Sequence, residues 1–181
     1  IRNAGKKLIR VVDNGSGMGK EDAKLAFERH ATSKISTADD LISIHTLGFR
    51  GEALPSIAAV SKLQLVTRTN DSLSGIKIEF DGGKLIGITD AGSPVGTTIS
   101  INDLFFNTPA RLKFLKSDFT EVNHITDVVT RLAMAYPSCS FRLLLDGKET
   151  FHSTAVTDMR DRVVAVLGKE TEKELLTMSS E

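Results

Sequence analysis

The stretch VVDNGSGMGKEDA, residues 11–23, constrains the fold more than any other part of the chain. It ends an apolar run with Asp13 and then has glycines at alternate positions. The Asn14-Gly15 pair is typical of a two-residue hairpin, but a hairpin needs a second strand directly after its turn. From Met18 onward the pattern is helical instead. The sequence therefore predicts a strand, a glycine-spaced turn and a helix.

The predicted turn is a candidate ligand site. Asp13 would stand at a strand end, where its carboxylate is free to accept a hydrogen bond from an exocyclic amine. Gly15 and Gly17 have no Cβ and permit positive φ, so the backbone can approach a flat ligand closely. Met18 can form an apolar floor under a ring. On these residues alone, a ligand site and a plain turn remain equally open.

Two further stretches are compatible with a nucleotide site. In TLGFRGEAL, residues 46–54, glycines flank Phe49-Arg50 and a predicted helix starts at Glu52. Main-chain N–H groups at such a position can bind phosphate. In VGTTISI, residues 95–101, Gly96 precedes a strand whose Thr97 offers a hydroxyl. Taken alone, each stretch is explained more simply as a turn than as a ligand site. The sequence contains no GxxxxGK[ST] pattern, which excludes a P-loop.

The remaining pattern alternates between strands and helices. Strands are predicted over residues 7–12, 63–69, 74–80, 84–89 and 97–101, with a hairpin over 140–145 and 149–153. Helices are predicted over residues 20–29, 52–62, 121–136 and 158–167, and a short one starts at Pro109 with Thr108 as its N-cap. Residues 30–47 are predicted to form a lid. This order predicts an α+β two-layer sandwich, with a mixed, mostly antiparallel sheet covered by helices on one face.

Composition adds few limits. Lys plus Arg and Asp plus Glu each number 23, so net charge steers neither nucleic acid nor acidic substrates. Cys139 is the only cysteine, which excludes an intrachain disulfide, favours a reducing compartment and predicts a buried or half-buried thiol. The four histidines have no i, i+4 pairing, so they predict no metal site. The first residues resemble neither a signal peptide nor a membrane span, and the missing initiator Met suggests an excised fragment.

Three longer stretches carry a resemblance to a known family. They are RHATSKI (29–35), LGFRGEAL (47–54) and LFFNTPARLKFL (104–115). Together they closely resemble the MutL family of DNA mismatch repair proteins, which belongs to the GHKL ATPases. The resemblance runs from about Leu8 to the final helices. It implies a GHKL, or Bergerat-type, ATPase domain over residues 1–155, and a linker helix with the start of a ribosomal-protein-like domain over residues 156–181.

The resemblance also implies an adenine nucleotide site. Asp13 would hold the adenine amino group, Gly15 and Gly17 would shape the turn, Met18 would pack near the base and Thr97 would support the polar cluster. Lid residues implied to reach the phosphates are Thr32, Ser33 and Lys34. Residues implied to surround the phosphates with main-chain N–H groups are Gly48, Phe49, Arg50, Gly51, Glu52 and Leu54.

The resemblance further implies ATP with Mg²⁺, and dimerisation of the ATP-bound N-terminal domains as a homodimer or paralogue heterodimer. Such a switch coordinates mismatch-recognition and downstream repair proteins. It also implies weak, sequence-independent DNA binding, no membrane, and a bacterial cytoplasmic or eukaryotic nuclear location. Arg111, Lys113 and Lys116 could contact DNA phosphate, or they could form the solvated face of a helix.

One departure from the family pattern affects the expected activity. The family places its general base and its magnesium-binding Asn in a Glu-x-x-x-Asn spacing, and this sequence contains no such spacing. A Lys that contacts the terminal phosphate comes from the family's second domain. Hydrolysis needs a base near the water and a metal to neutralise phosphate charge. The chain is therefore expected to be hydrolytically inactive alone, with the base and metal ligand upstream of its first residue.

Two other functions stay open at this point. The ATP-binding domain of a histidine kinase would share the glycine motifs, but it predicts a second Asn-rich box and does not explain NTPAR. A non-catalytic binding or dimerisation module would keep the nucleotide-binding fold only as a scaffold.

Overall fold

The computed structural model describes residues 1–28 and 51–174. The chain divides into two compact units, each of which is described by itself. Lys6–Phe114 form one unit, called here the sheet unit, and Ile1–Gly5 with Leu115–Glu181 form the other, called the hairpin unit. The domain boundary between residues 155 and 156 that the family resemblance implies stays a prediction.

Within its described residues, the sheet unit has five strands that pair antiparallel in the order β1-β5-β2-β3-β4. The strands are β1 (Leu8–Asp13), β2 (Lys62–Arg68), β3 (Gly75–Asp81), β4 (Lys84–Ala91) and β5 (Gly96–Asn102). The helices are α1 (Lys20–Leu25), α2 (Ala53–Ala58) and α3 (Pro109–Phe114). Each predicted strand is confirmed to within two residues at either end. Both α1 and α2 are shorter than predicted, because a turn follows Leu25 and β2 already begins at Lys62.

The core of the sheet unit lies on one face of this sheet. β2 shows this alternation, since Leu63, Leu65 and Thr67 are buried while Gln64 and Val66 between them are only half-buried. α1 and α2 each bury one alanine, Ala23 and Ala58, whose small side chains let the helices approach the sheet closely. The buried core cluster consists of Ala23, Ala58, Leu63, Leu65, Ile76, Ile78 and Ile101. The predicted α+β two-layer arrangement is confirmed.

The hairpin unit combines two helices with a two-stranded sheet. Its elements are a 3-10 turn (Asn3–Gly5), α4 (Asp118–Ala135), β6 (Phe141–Leu145), β7 (Lys148–Ser153), α5 (Met159–Leu167) and a second 3-10 segment (Lys169–Glu174). The Ser117 hydroxyl caps α4 by accepting from the Thr120 N–H at 3.2 Å. Gly168, at φ 99°, ends α5 as predicted.

Arg162 joins the elements of the hairpin unit. Its guanidinium is fully buried on α5 and donates to the Ser153 hydroxyl and to the main-chain carbonyls of Pro137 and Cys139. The Arg162 Nε–H has no hydrogen-bond partner. One cation therefore connects the helix to β7 and to the turn that precedes β6, mainly through neutral carbonyl oxygens.

Two local predictions are wrong. Cys139 is exposed, because it lies in a turn and β6 begins only at Phe141. Thr108 does not cap α3 with its side chain, since its buried hydroxyl has no hydrogen-bond partner in the structure. Pro109 does stand at the first position of that helix, as predicted. The predicted lid lies outside the described residues.

Arg162→Met is expected to lower the free energy of unfolding by about 3 kcal/mol, because the buried Ser153 hydroxyl and the part-buried carbonyls of Pro137 and Cys139 would lose a donor and an unsatisfied buried group costs about 1–3 kcal/mol. Urea denaturation followed by circular dichroism measures the change. Arg142→Met is the matched control, because it removes only an exposed ion pair with Glu149. Equal stability of the two variants would show that Arg162 does not hold the unit together.

Candidate functional site

A row of three polar side chains crosses one end of the sheet. Thr97 on β5 pairs directly with Asp13 on β1 and with Thr67 on β2. Side chains at paired positions of neighbouring strands lie on the same face. The neighbouring row, two residues earlier along β2, contains Leu65 and Ile99. Leu65 belongs to the core cluster and Ile99 packs against it. The polar row is therefore the end of the core face, where apolar rows give way to hydrogen-bonding groups.

The carboxylate of Asp13 is held in place by the main chain. Its Oδ1 accepts from the N–H of Gly15 at 2.9 Å and from the N–H of Thr97 at 3.2 Å. The bond to the amide two residues ahead is typical of aspartate in turns. Asp13 itself is exposed. The predicted position of Asp13 at a strand end is confirmed, and the structure adds that two main-chain amides orient its carboxylate.

Thr67 lies at the centre of this row. Its fully buried hydroxyl accepts from the Met18 N–H at 2.9 Å and donates to the Gly96 carbonyl at 3.0 Å. It also lies 3.1 Å from the hydroxyl of Thr97. One side chain therefore fastens the turn after β1 to the start of β5. Thr67 was not among the residues predicted from the sequence, where its only signal is a polar residue at an inward position of an alternating strand.

Two glycines of the site have no room for a side chain. Gly17, at φ 69°, would direct a Cβ into the carbonyl oxygen of Arg68. Gly96, at φ 117°, would direct one into the carbonyl oxygen of Asp13. Both Gly15 and Gly17 permit positive φ, but only Gly17 has a φ in that region. Gly15 instead supplies the amide that orients Asp13.

Met18 has a half-buried side chain that packs against the core cluster. Its main-chain N–H is the group that bonds Thr67. The contact with the core fits an apolar surface beside the polar row. Its predicted place under a base stays a prediction.

The second predicted part of the site is the start of α2. Gly51 has φ 62° and Glu52 is the exposed N-cap residue of that helix. The Leu54 side chain packs against the core, which leaves only its main chain for a ligand. Six other predicted residues lie outside the described residues: Thr32, Ser33, Lys34, Gly48, Phe49 and Arg50.

The other end of α2 is held by residues 103–108, called here the clamp segment. Phe105 donates its N–H to the Val60 carbonyl at 2.7 Å, and the Asn107 side-chain amide donates to the Ala59 carbonyl at 2.9 Å. Carbonyl groups at a helix end have no partner within the helix. The clamp segment therefore satisfies the C-terminal end of α2 from a distant part of the sequence. Asn107 belongs to the NTPAR stretch, which sequence reasoning used only for the family resemblance.

The clamp segment has an unusual backbone. Asp103 and Phe105 have φ of 50° and 63°, which for residues other than glycine costs about 1–3 kcal/mol each. The Lys7 ammonium donates to Asp103 at 2.7 Å, and Lys62 lies 3.7 Å from the other oxygen of that carboxylate. The hydrogen bond from Lys7 is the main reason that the pKa of Asp103 lies below its usual value. These contacts keep the strained turn in its position beside α2.

No group of three or more His, Cys, Asp or Glu in the described ranges could hold a metal ion. No helix within residues 1–28 and 51–174 is long and apolar enough to cross a membrane.

Curated relatives match the whole chain. The MutL mismatch repair protein of Acidobacterium capsulatum is 49% identical over 100% of this chain. Those of Symbiobacterium thermophilum and Geobacter sulfurreducens are 51% and 53% identical over 97% and 93% of it. The chain spans only 27% or 28% of the length of these proteins. No protein-family model matches the chain.

Solved structures of DNA repair proteins have a fold similar to that of this chain. The Aquifex aeolicus MutL ATPase domain complexed with ADP is 33% identical and has a TM-score of 0.72, over 90% of this chain and 57% of that one. The N-terminal domain of a DNA repair protein is 27% identical with a TM-score of 0.74, over 93% and 50%. These likenesses support the predicted fold class.

Asn107→Ala is expected to lower the free energy of unfolding by about 1 kcal/mol, because the Ala59 carbonyl would lose its donor. Chemical denaturation followed by circular dichroism measures this difference. The control is Asn70→Ala, in the exposed turn between β2 and β3. If both variants unfold at the same urea concentration as the unchanged chain, the side chain of Asn107 does not stabilise the end of α2.

Proposed function

Because this chain belongs to the MutL family of DNA mismatch repair proteins, we propose that it is the ATP-binding part of such a protein's N-terminal ATPase domain. The observation that supports this most is the Asp13 carboxylate, which two main-chain amides orient at the end of the sheet. A structural neighbour of this chain is a MutL ATPase domain complexed with ADP.

Asp13 would recognise the base. A carboxylate only accepts hydrogen bonds, so it suits the amino group of adenine and disfavours an oxo group in the same place. Because Gly15 and Thr97 already orient the carboxylate, little ordering remains to be done when the base binds. Gly17 would let the turn lie close to the ring, and Met18 would supply apolar contact.

The triphosphate would lie toward the start of α2. In this proposal the main-chain N–H groups of residues 48–54 surround the phosphates, and Thr32, Ser33 and Lys34 of the lid reach them. The described residues support one element of this phosphate site, the placement of α2. Its core contacts come from Leu54, Ile57 and Ala58, and the clamp segment holds its far end.

The described residues do not fit a magnesium site. Asp13 uses Oδ1 for two main-chain amides, and no group of three metal-binding side chains occurs within residues 1–28 and 51–174. The family's magnesium ligand is an Asn in a Glu-x-x-x-Asn spacing that this sequence does not contain. No step of the proposed function is therefore assigned to a metal held by this chain.

The wider role is that of an ATP-driven dimerisation switch that coordinates repair proteins. In this proposal the nucleotide favours the dimer, either with a second copy or with a paralogue. Weak contact with DNA phosphate would fall to Arg111 and Lys113, which lie on the exposed helix α3, and to Lys116. The relatives and neighbours named above are DNA repair proteins, which disfavours the histidine-kinase alternative.

Asp13→Asn is expected to raise the dissociation constant for a non-hydrolysable ATP analogue by about ten- to hundredfold, the value of one charge-assisted hydrogen bond. The asparagine amide would also place a donor against the adenine amino group. Isothermal titration calorimetry measures the constant. Asp71→Asn, in the exposed turn after β2, is the control and is expected to bind normally. Unchanged affinity of Asp13→Asn would contradict the proposed site.

The chain alone is expected to release no phosphate from ATP above the level of the Asp13→Asn variant. The reason is that its sequence lacks the general base in the Glu-x-x-x-Asn spacing. A coupled phosphate assay with excess Mg²⁺ measures the rate. Phosphate release that depends on Asp13 would show that another residue of this chain activates the water.

A further inference from the structure

The hydroxyl of Thr67 has three partners but only one proton. The Met18 N–H can only donate to it, at 2.9 Å, and the Gly96 carbonyl can only accept from it, at 3.0 Å. The proton of Thr67 therefore points to Gly96. In its third contact, at 3.1 Å from the Thr97 hydroxyl, Thr67 must be the acceptor. This count fixes the direction of a bond that geometry alone leaves open.

The count also fixes what Thr97 can do. Its single hydroxyl proton points inward to Thr67, so its remaining lone pairs can only accept. Its main-chain N–H is occupied as well, because it donates to Asp13 Oδ1 at 3.2 Å. The row thus offers two acceptors side by side, the Thr97 hydroxyl oxygen and the Asp13 carboxylate, and neither residue has a donor left.

We propose that Thr67 is a positioning residue that makes the site selective for purines with a 6-amino group, by keeping the Thr97 hydroxyl an acceptor. This inference rests on the proposed function. A 6-amino group donates two hydrogen bonds and matches a pair of acceptors, whereas a 6-oxo group meets two acceptors without any proton between them. Unpaired polar groups of this kind give strong discrimination between ligands.

Thr67 has this effect because it is buried and because its hydroxyl proton and its lone pairs are all used in hydrogen bonds. Its pairing position opposite Thr97 brings the two hydroxyls together, and its bonds to Met18 and Gly96 leave it no other orientation. Without the Thr67 hydroxyl, the Thr97 hydroxyl loses its inward acceptor. It can then turn its proton toward the ligand and accommodate a 6-oxo group.

A purely structural role would change affinity for every nucleotide, so the test compares two ligands. Dissociation constants are measured by calorimetry for ATP and for inosine triphosphate, which has a 6-oxo group in place of the 6-amino group. The variants are Thr67→Val, which keeps the shape, and Thr67→Ser, which keeps the hydroxyl. Thr98→Val is the matched control, because Thr98 is the next residue of β5 and lies on the opposite face.

The unchanged chain is expected to prefer ATP over inosine triphosphate. In Thr67→Val the ratio of the two dissociation constants is expected to fall about tenfold, close to the value of one lost hydrogen bond. Thr67→Ser and Thr98→Val are expected to retain the original ratio. Thr97→Val, which removes the acceptor itself, is expected to lower the ratio too; an unchanged ratio in that variant overturns the inference even if Thr67→Val does not fold.

Each outcome has one meaning. A lower ratio in Thr67→Val, together with the original ratio in Thr67→Ser, supports the inference. An unchanged ratio in a folded Thr67→Val, with ATP still bound by the unchanged chain, overturns the inference and leaves the proposed function intact. If the unchanged chain binds neither nucleotide, the proposed function fails and this inference fails with it.

Discussion

The pairing register of β1, β5 and β2 is the constraint on which the site depends. It places Asp13, Thr97 and Thr67 in one row across three strands that are not consecutive in the sequence. Because side chains alternate between the faces, a slip of one residue would put Thr98 in this row and turn Thr97 away. The buried leucines of β2 oppose such a slip, since it would also move them to the half-buried opposite face.

The helix α2 joins two features that lie far apart in the chain. Its first two residues are the last two of the GFRGEAL stretch, and the carbonyls of Ala59 and Val60 directly after the helix accept from Asn107 and Phe105 of the clamp segment. The strained φ values of Asp103 and Phe105 occur where the clamp segment turns back toward α2. Strain of this kind persists only where surrounding contacts hold it, and here those contacts include Lys7 and the end of α2. The packing of a short helix thus accounts for Asn107, the first residue of the NTPAR stretch.

Sequence reasoning was accurate where the signal is local. The Asp13 turn, the five strands and the hairpin follow from alternation and turn chemistry, and these depend on neighbouring residues only. It was wrong for the cap at Thr108 and for the burial of Cys139, which depend on the surroundings of a side chain. It missed Thr67 because an inward threonine in a strand is not unusual until its partners are known.

The sequence by itself determined the family and the fold class and pointed to Asp13 as a candidate site residue, because motifs and periodicity are read from consecutive residues. The tertiary structure decided which groups meet: Thr67 with Thr97, and Asn107 with the end of α2. Thr67 and Thr97 are 30 residues apart in the sequence, and Asn107 and Ala59 are 48 residues apart. The direction of a hydrogen bond depends on counting protons among such partners, and only the folded chain supplies that count.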